Sequence, residues 1–208
     1  MVTVLAVEAA KLHQVRVVLD DGEALIDKTV WAQYGRPIGE ELTDAEWQYI
    51  LEYSAVYRAR EKALYYLSLR DYGRAELISK LCQAGIERDR AEATVTRLVE
   101  SGLIDDRRYA RMLAQSMQTR KLYPKKRIAM ALREKGFDAD TVQEALFELP
   151  DEEEQQALEL LRKKRYNGAC DRKQRDKALA MLARYGFSYA VAQRALMLRE
   201  EELTEDNA

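Results

Sequence analysis

Apolar positions along this chain recur in a pattern anchored on three glycines, Gly85, Gly136 and Gly186, about fifty residues apart. Eight, seven and four residues before each glycine stand Leu77, Ile78 and Leu81; Ile128, Ala129 and Leu132; Ala178, Leu179 and Leu182. One residue after come Ile86, Phe137 and Phe187, six after come Ala91, Val142 and Ala192, and ten after come Val95, Leu146 and Leu196. Offsets of three and four place the leading residues on one helix face. A glycine then ends that helix most readily, because it tolerates the left-handed conformation. In the middle copy Asp138 can cap the next helix, and Val142 falls where a hydrophobic staple from Phe137 would land. Six matched apolar positions in each of three copies predict a repeat protein whose units bury their faces partly against one another.

The flanking pattern predicts the remaining helices. Thr43 and Glu46 form a capping box, and no Pro or Gly interrupts the chain from there to about Arg70. That helix would run nearly 40 Å at ~1.5 Å per residue, with Trp47, Ile50, Leu51 and Ser54 on one side and Leu64, Leu67 and Leu69 filling its later turns. Asp71–Gly73 is a short loop before a helix to Ala84, and a third helix follows from Glu87 to Glu100. Ser101-Gly102 breaks the chain, Asp105 caps a helix to about Arg120, and Pro124 suits the first position of the next. Pro150 and the acidic run at 151–154 mark another boundary, since carboxylates favour a helix N-terminus. Helices near 152–165, 171–185 and 188–202 complete nine in three triplets.

Residues 2–42 follow a different period. Val2 to Val7 and Val15 to Leu19 are rich in β-branched residues, Asp20-Asp21-Gly22 is a hairpin signal, and Ala24-Leu25-Ile26 is the returning strand. Thr29 to Tyr34 reads as a short helix ended by Gly35, with Pro37 and Gly39 in the loop beyond. A sheet of two or three strands needs a surface to lean on, and the long helix supplies it. The expected organisation is mainly α: a β-hairpin module at 1–42, a long linking helix and first three-helix repeat at 43–102, a second repeat at 103–150, and a third with a short tail at 151–208.

Composition agrees and adds a charge pattern. Charged residues make up 34% of the 208, and Pro and Gly are scarce, which is the vocabulary of helices. The net charge of −2 conceals a segregation. Residues 1–58 hold five basic and ten acidic side chains, whereas Arg120 to Arg127 holds five basic residues and no acid. Cys82 and Cys170 lack metal-ligand spacing and are expected as reduced, packed thiols. No apolar run approaches the roughly 20 residues of a membrane span, and the N-terminus lacks a signal pattern, so a cytoplasmic protein without membrane contact is expected.

Catalytic chemistry finds little support. His13 has no partner at catalytic or ligand spacing and reads as a surface histidine. No phosphate-cradling Gly-x-x-x-x-Gly-Lys-Ser/Thr loop occurs. Asp105-Asp106 is better explained by helix capping than by metal binding. No enzyme activity, metal or cofactor is therefore expected. Two basic clusters remain. Arg120, Lys121, Lys125, Lys126 and Arg127 span the first turn of repeat two, beside Tyr123. Arg162, Lys163, Lys164, Arg165, Arg172, Lys173, Arg175 and Lys177 occupy the equivalent turn of repeat three, beside Tyr166. Each sets cations beside a tyrosine, expected to be exposed, near a helix start, where phosphates or carboxylates can be met. Solvated helix surface is the competing explanation for either cluster alone.

Three passages carry a family resemblance. They are Arg74-Ala75-Glu76-Leu77-Ile78-Ser79-Lys80-Leu81 followed by Gly85; Gly102-Leu103-Ile104-Asp105 with Tyr109-Ala110, closing at Arg120; and Lys126-Arg127-Ile128 with Leu132 and Lys135-Gly136-Phe137. In order and spacing, from about residue 63 onward, they resemble the RecX family of regulatory proteins, bacterial modulators of the RecA recombinase. The N-terminal module resembles the extension of many Gram-positive members. One departure is Gly73, where the family usually has a serine that boxes with Glu76. The resemblance implies a non-catalytic regulator that binds the RecA nucleoprotein filament in its helical groove and inhibits ATP hydrolysis, strand exchange and coprotease action. That role belongs to recombination, DNA repair and the SOS response. It supplies no matched binding residues, so the twelve candidates Arg120 to Arg175 rest on charge.

A rival reading is a stand-alone DNA-binding protein touching phosphates through the basic turns, since three-helix units with a short turn are the currency of major-groove readers. The third helices argue against it. Residues 89–100 are mixed in charge, 138–149 hold no Lys or Arg, and 188–202 are nearly balanced, whereas a phosphate-seeking recognition helix should be basic.

Overall fold

The structure is a computed structural model that describes residues 1–10, 13–168 and 172–205. It is mainly helical, with three three-helix repeats preceded by a small antiparallel sheet and a long linking helix. Contacts divide it into two compact units, Met1–Ile104 and Asp105–Ala208.

In the first unit, β1 (Val2–Ala9), β2 (Gln14–Leu19) and β3 (Gly22–Asp27) form the expected meander. The β2–β3 hairpin pairs Leu19 with Gly22 across a two-residue loop, Asp20-Asp21. Alternation puts Val15, Val17 and Leu19 on the buried face, as a period of two requires. A fourth strand, β4 (Glu41–Leu42), pairs with the start of β1 and gives the order β3-β2-β1-β4. Two residues are too short to show alternation, and so this strand left no sign in the sequence. Helix α1 (Lys28–Tyr34) is capped by Asp27, which accepts from the Thr29 N–H, and ends at Gly35.

Helix α2 (Asp44–Leu69) starts at the capping box, with both the Thr43 and Glu46 bonds made. It serves two cores. Trp47 and Ile50 close the β module's core against Val4, Val17, Ile26 and Val30. Ser54 is buried there too, and its hydroxyl accepts the Asp27 N–H at 2.8 Å. Farther along, Ala63 joins Leu77, Leu81, Ala91, Val95 and Leu98 in the core of repeat one, formed with α3 (Arg74–Gln83) and α4 (Arg88–Glu100). Leu64 and Leu67 pack against that core, but Leu69 does not fill the last turn: it is exposed, because the helix ends there and the chain departs.

The second unit holds repeat two, α5 (Asp106–Lys121), α6 (Lys125–Glu134) and α7 (Ala139–Phe147), and repeat three, α8 (Glu153–Lys163), α9 (Arg172–Tyr185) and α10 (Tyr189–Glu205). Pro124 is the N-cap of α6 and not its first helical residue: its ψ of 156° is extended.

The three glycine turns are one structure repeated. Gly85, Gly136 and Gly186 have φ of 83°, 87° and 99°. In each copy the residue after the glycine donates back five residues: Ile86 to Leu81 O (3.1 Å), Phe137 to Leu132 O (3.3 Å), Phe187 to Leu182 O (3.2 Å). The glycine N–H bonds three residues back, to Cys82, Arg133 and Ala183. This pair of bonds is the Schellman motif, and it satisfies helix-end carbonyls that would otherwise be orphaned. Leu81, Leu132 and Leu182 are fully buried at equivalent places. Asp138 caps α7 through the Thr141 N–H at 2.7 Å, and Phe137 and Val142 share a core with Tyr109, Ile128 and Leu132. Cys82 is half-buried; Cys170 lies outside the described residues.

Candidate functional site

The two basic turns, some forty residues apart in sequence, meet in space. The first turn leaves α5 through Leu122, which is left-handed at φ 55°, and the second leaves α8 through Arg165 at φ 56°. Tyr123 and Tyr166 follow them. Neither tyrosine is fully exposed, contrary to the sequence expectation; both are half-buried and pack on the repeat cores.

At the centre of the junction is Tyr185, the last residue of α9. Its ring meets Tyr123 edge to face at 6.2 Å. Arg127 lies over both rings, its Cζ 3.9 Å from the Tyr123 centroid and 5.2 Å from that of Tyr185. Its Nη1 donates to the Arg184 carbonyl at 3.0 Å, at a helix C-terminus where unpaired carbonyls welcome a cation. Lys164 reaches the Tyr185 ring from the second turn, 5.9 Å to the centroid, and Lys121 sits 5.7 Å from Tyr123. Lys163 Nζ lies 3.5 Å from the Arg120 carbonyl. Close approach is needed here. A Cβ on Gly186 would stand 3.2 Å from Arg127 Cβ and 3.4 Å from Pro124 Cγ. Leu122 completes the seam by entering the core of repeat three beside Leu161, Leu182 and Leu196.

The candidate cations therefore fall into four groups. Arg120, Lys121, Lys126, Lys163, Lys164 and Arg165 are exposed around the seam, with Lys125 half-buried among them. Arg127 is part of the seam itself. Arg162 is drawn away, ion-paired with Glu202, which Arg199 also holds at 2.9 Å. These guanidinium bonds, Arg162's first, hold the Glu202 carboxyl below its ordinary value, and Glu202 in turn raises Arg162. Arg172, Lys173 and Arg175 belong to the start of α9, roughly 15–20 Å along the axis from Tyr185 at ~1.5 Å per residue. Arg172 is almost fully solvated and leans towards Asp176 at 3.9 Å.

Sequence reasoning missed Tyr185, Arg184 and Leu122. The only signal they left was an aromatic residue directly before the third repeat glycine.

Among the described residues no group of three or more His, Cys, Asp or Glu side chains is placed to hold a metal, and no helix is long and apolar enough to cross a membrane. What the fold and site define is a helical-repeat protein whose second and third repeats join at a tyrosine-centred, lysine-rimmed seam. Comparison with known proteins makes this particular. Residues 59–98, 105–146 and 151–196 match the models of the first, second and third three-helix domains of RecX. Regulatory protein RecX of Mycolicibacterium smegmatis is 34% identical over 142 residues, covering 65% of this chain and 76% of that protein. Its counterpart in Lactococcus lactis is 31% identical over 176 residues, covering 82% and 65%. A crystal structure of regulatory protein RecX superposes with a TM-score of 0.66 at 25% identity, covering 93% of this chain and 98% of that one. The structure of RecX from Lactobacillus salivarius gives 0.60 at 26% identity, over 70% and 97%. The chain belongs to the RecX family of regulatory proteins.

Proposed function

We infer that this chain acts in the cytoplasm as a non-catalytic regulator of recombination and DNA repair. It binds the RecA nucleoprotein filament and inhibits its ATPase, strand-exchange and coprotease activities, and so tempers the SOS response. The supporting observation is the convergence of the two basic turns. Six exposed cations from two repeats surround one seam, which suits them to an acidic protein surface or to DNA phosphates presented along a polymer. Direct phosphate contact is an auxiliary part of the same grip. Stand-alone sequence reading is disfavoured, because α7 presents no cation to a groove and readers place basic side chains on that helix.

The test is RecA ATPase on single-stranded DNA with and without this protein, beside a gel shift lacking RecA. Falling ATPase with little or no shift supports filament docking. A strong shift with unchanged ATPase would replace this reading with plain DNA binding.

A further inference from the structure

The first unit carries an aromatic surface that the regulatory reading does not use. Tyr34, at the end of α1, meets Tyr49 and Tyr53 of α2 edge to face, with centroids at 5.4 and 5.2 Å. Tyr49 and Tyr53 stack on each other at 5.7 Å with planes 19° apart. Burial does not account for the cluster, since Tyr49 is 51% and Tyr53 36% exposed. Beside it runs an open groove of about 430 Å³, lined by Gln33, Tyr34, Arg36, Glu46 and Tyr49 among others. Arg36 is already held by Glu46 at 2.9 Å. Exposed stacked aromatics suit two visitors: nucleic-acid bases, or the cationic side chains of a protein.

Charge chooses between them. The cluster lies within residues 1–58, which carry ten acidic against five basic side chains. Glu40, Glu41, Asp44 and Glu46 fall within seven residues at and just before the start of α2. Glu46, on the groove wall, is matched by Arg36, and Asp44 by the Met1 ammonium at 2.9 Å, which leaves Glu40 and Glu41 to add to the acidic excess. A phosphate backbone would be repelled by this field, whereas an arginine or lysine would be drawn in and could lie against the rings. We propose that the Tyr34–Tyr49–Tyr53 surface is a docking site for a basic, arginine- or lysine-bearing segment of a protein partner. It differs from the seam of the second unit in both charge sign and ligand. The site therefore stands whether or not the basic seam grips a filament.

The experiment uses the full chain, with an arginine-rich peptide (alternating arginine and glycine) and a thymidine oligonucleotide as probes. Binding is read from the NMR signals of the three tyrosine rings and from titration calorimetry. The peptide should bind saturably and shift those ring signals. Y49A/Y53A should weaken it by roughly tenfold, the loss expected for two exposed cation–π contacts, while Y49F/Y53F retains it. Neither change alters net charge, so a mere acidic attraction would be indifferent to both. Equal peptide affinity in Y49A/Y53A, with an unchanged circular dichroism spectrum, would overturn the proposal. So would thymidine shifting the three rings while the peptide does not, which would make the surface a base-stacking platform.

Discussion

In repeat two the residue that leaves the first helix left-handed is Leu122; in repeat three it is Arg165. Each is followed by a tyrosine, each lies within a basic cluster, and each precedes a helix that closes on a glycine turn. Their side chains go opposite ways. Leu122 is buried in the neighbouring repeat's core, whereas Arg165 is exposed. Arg127 and Arg162 divide similarly. The first crosses to the Tyr185 end of the other repeat, and the second folds back onto Glu202 of its own. A repeated pattern thus sets backbone geometry in both copies, while the neighbour that each copy faces decides what its side chains do. Repeat two has a repeat on which to lean, and it commits one leucine and one arginine to that contact.

The largest test of this likeness concerns the shared part. Phe137→Ala should destabilise repeat two by about 3–5 kcal/mol, and Phe187→Ala should do the same to repeat three, since both rings are buried behind the same glycine turn. A denaturation midpoint unmoved by either change would separate the repeats at their most similar point.

The left-handed pair comes next, and it should split in sign. Glycine relieves the strain of a positive φ at either position. At Leu122 that relief is outweighed by an emptied site in a core, so Leu122→Gly should lose roughly 2–3 kcal/mol. Arg165→Gly should gain up to about 1 kcal/mol. Urea midpoints moving the same way in both would mean that the two turns are equivalent after all.

Charge reversal sharpens the functional half of the comparison. K125E/K126E and K163E/K164E/R165E should each weaken inhibition of RecA ATPase, and together by about tenfold or more, if both turns serve one footprint. Exposed charges are screened over about 8 Å at physiological ionic strength. Inhibition by the unaltered protein should therefore fade as salt rises, and the combined variant should respond less steeply.

Arg127 should behave differently from these lysines. Arg127→Ala removes a ring-stacked guanidinium and a carbonyl bond, and should cost about 1–2 kcal/mol of stability. Arg127→Lys should recover only part, lacking the planar fork. If Arg127→Ala melts like the parent protein, the seam is held by Leu122 and Gly186 alone.

The smallest effect lies in the caps. Asp138 caps α7 and Ser188 caps α10. The Thr141 backbone N–H, above all, holds the Asp138 carboxyl below its ordinary 3.8. A lowered carboxyl pKa stabilises the fold fully above about pH 5, and that contribution is lost as pH falls through the lowered value. Asp138→Ser should therefore flatten the acid limb of a stability–pH curve, making repeat two resemble repeat three. An unchanged acid limb would show that the cap bond contributes nothing.

The amino-acid sequence alone determined the elements and the repeat. Helix faces and strand alternation follow from local periodicity, and the ends follow from residues that bond within a turn or two. Hence Thr43–Glu46, Asp105, Asp138 and the three glycines are found where the sequence puts them. The short β4 and the solvated Leu69 escaped, because pairing over two residues and burial at a helix end depend on what lies across from them. The resemblance to RecX was likewise legible, since it rests on residue order. The seam was only half legible. Its lysines and arginines could be counted, but nothing local to Arg120–Arg127 shows that Tyr185, nearly sixty residues beyond, supplies a second ring under Arg127 and, next to it, the Arg184 carbonyl that Arg127 bonds. That was decided by tertiary packing. Leu122 enters a core built from α8, α9 and α10, and the absent side chain of Gly186 lets Arg127 and Pro124 approach the end of α9. Contacts between distant segments depend on how whole faces fit, and the one-dimensional spacing of charges carries no trace of that fit.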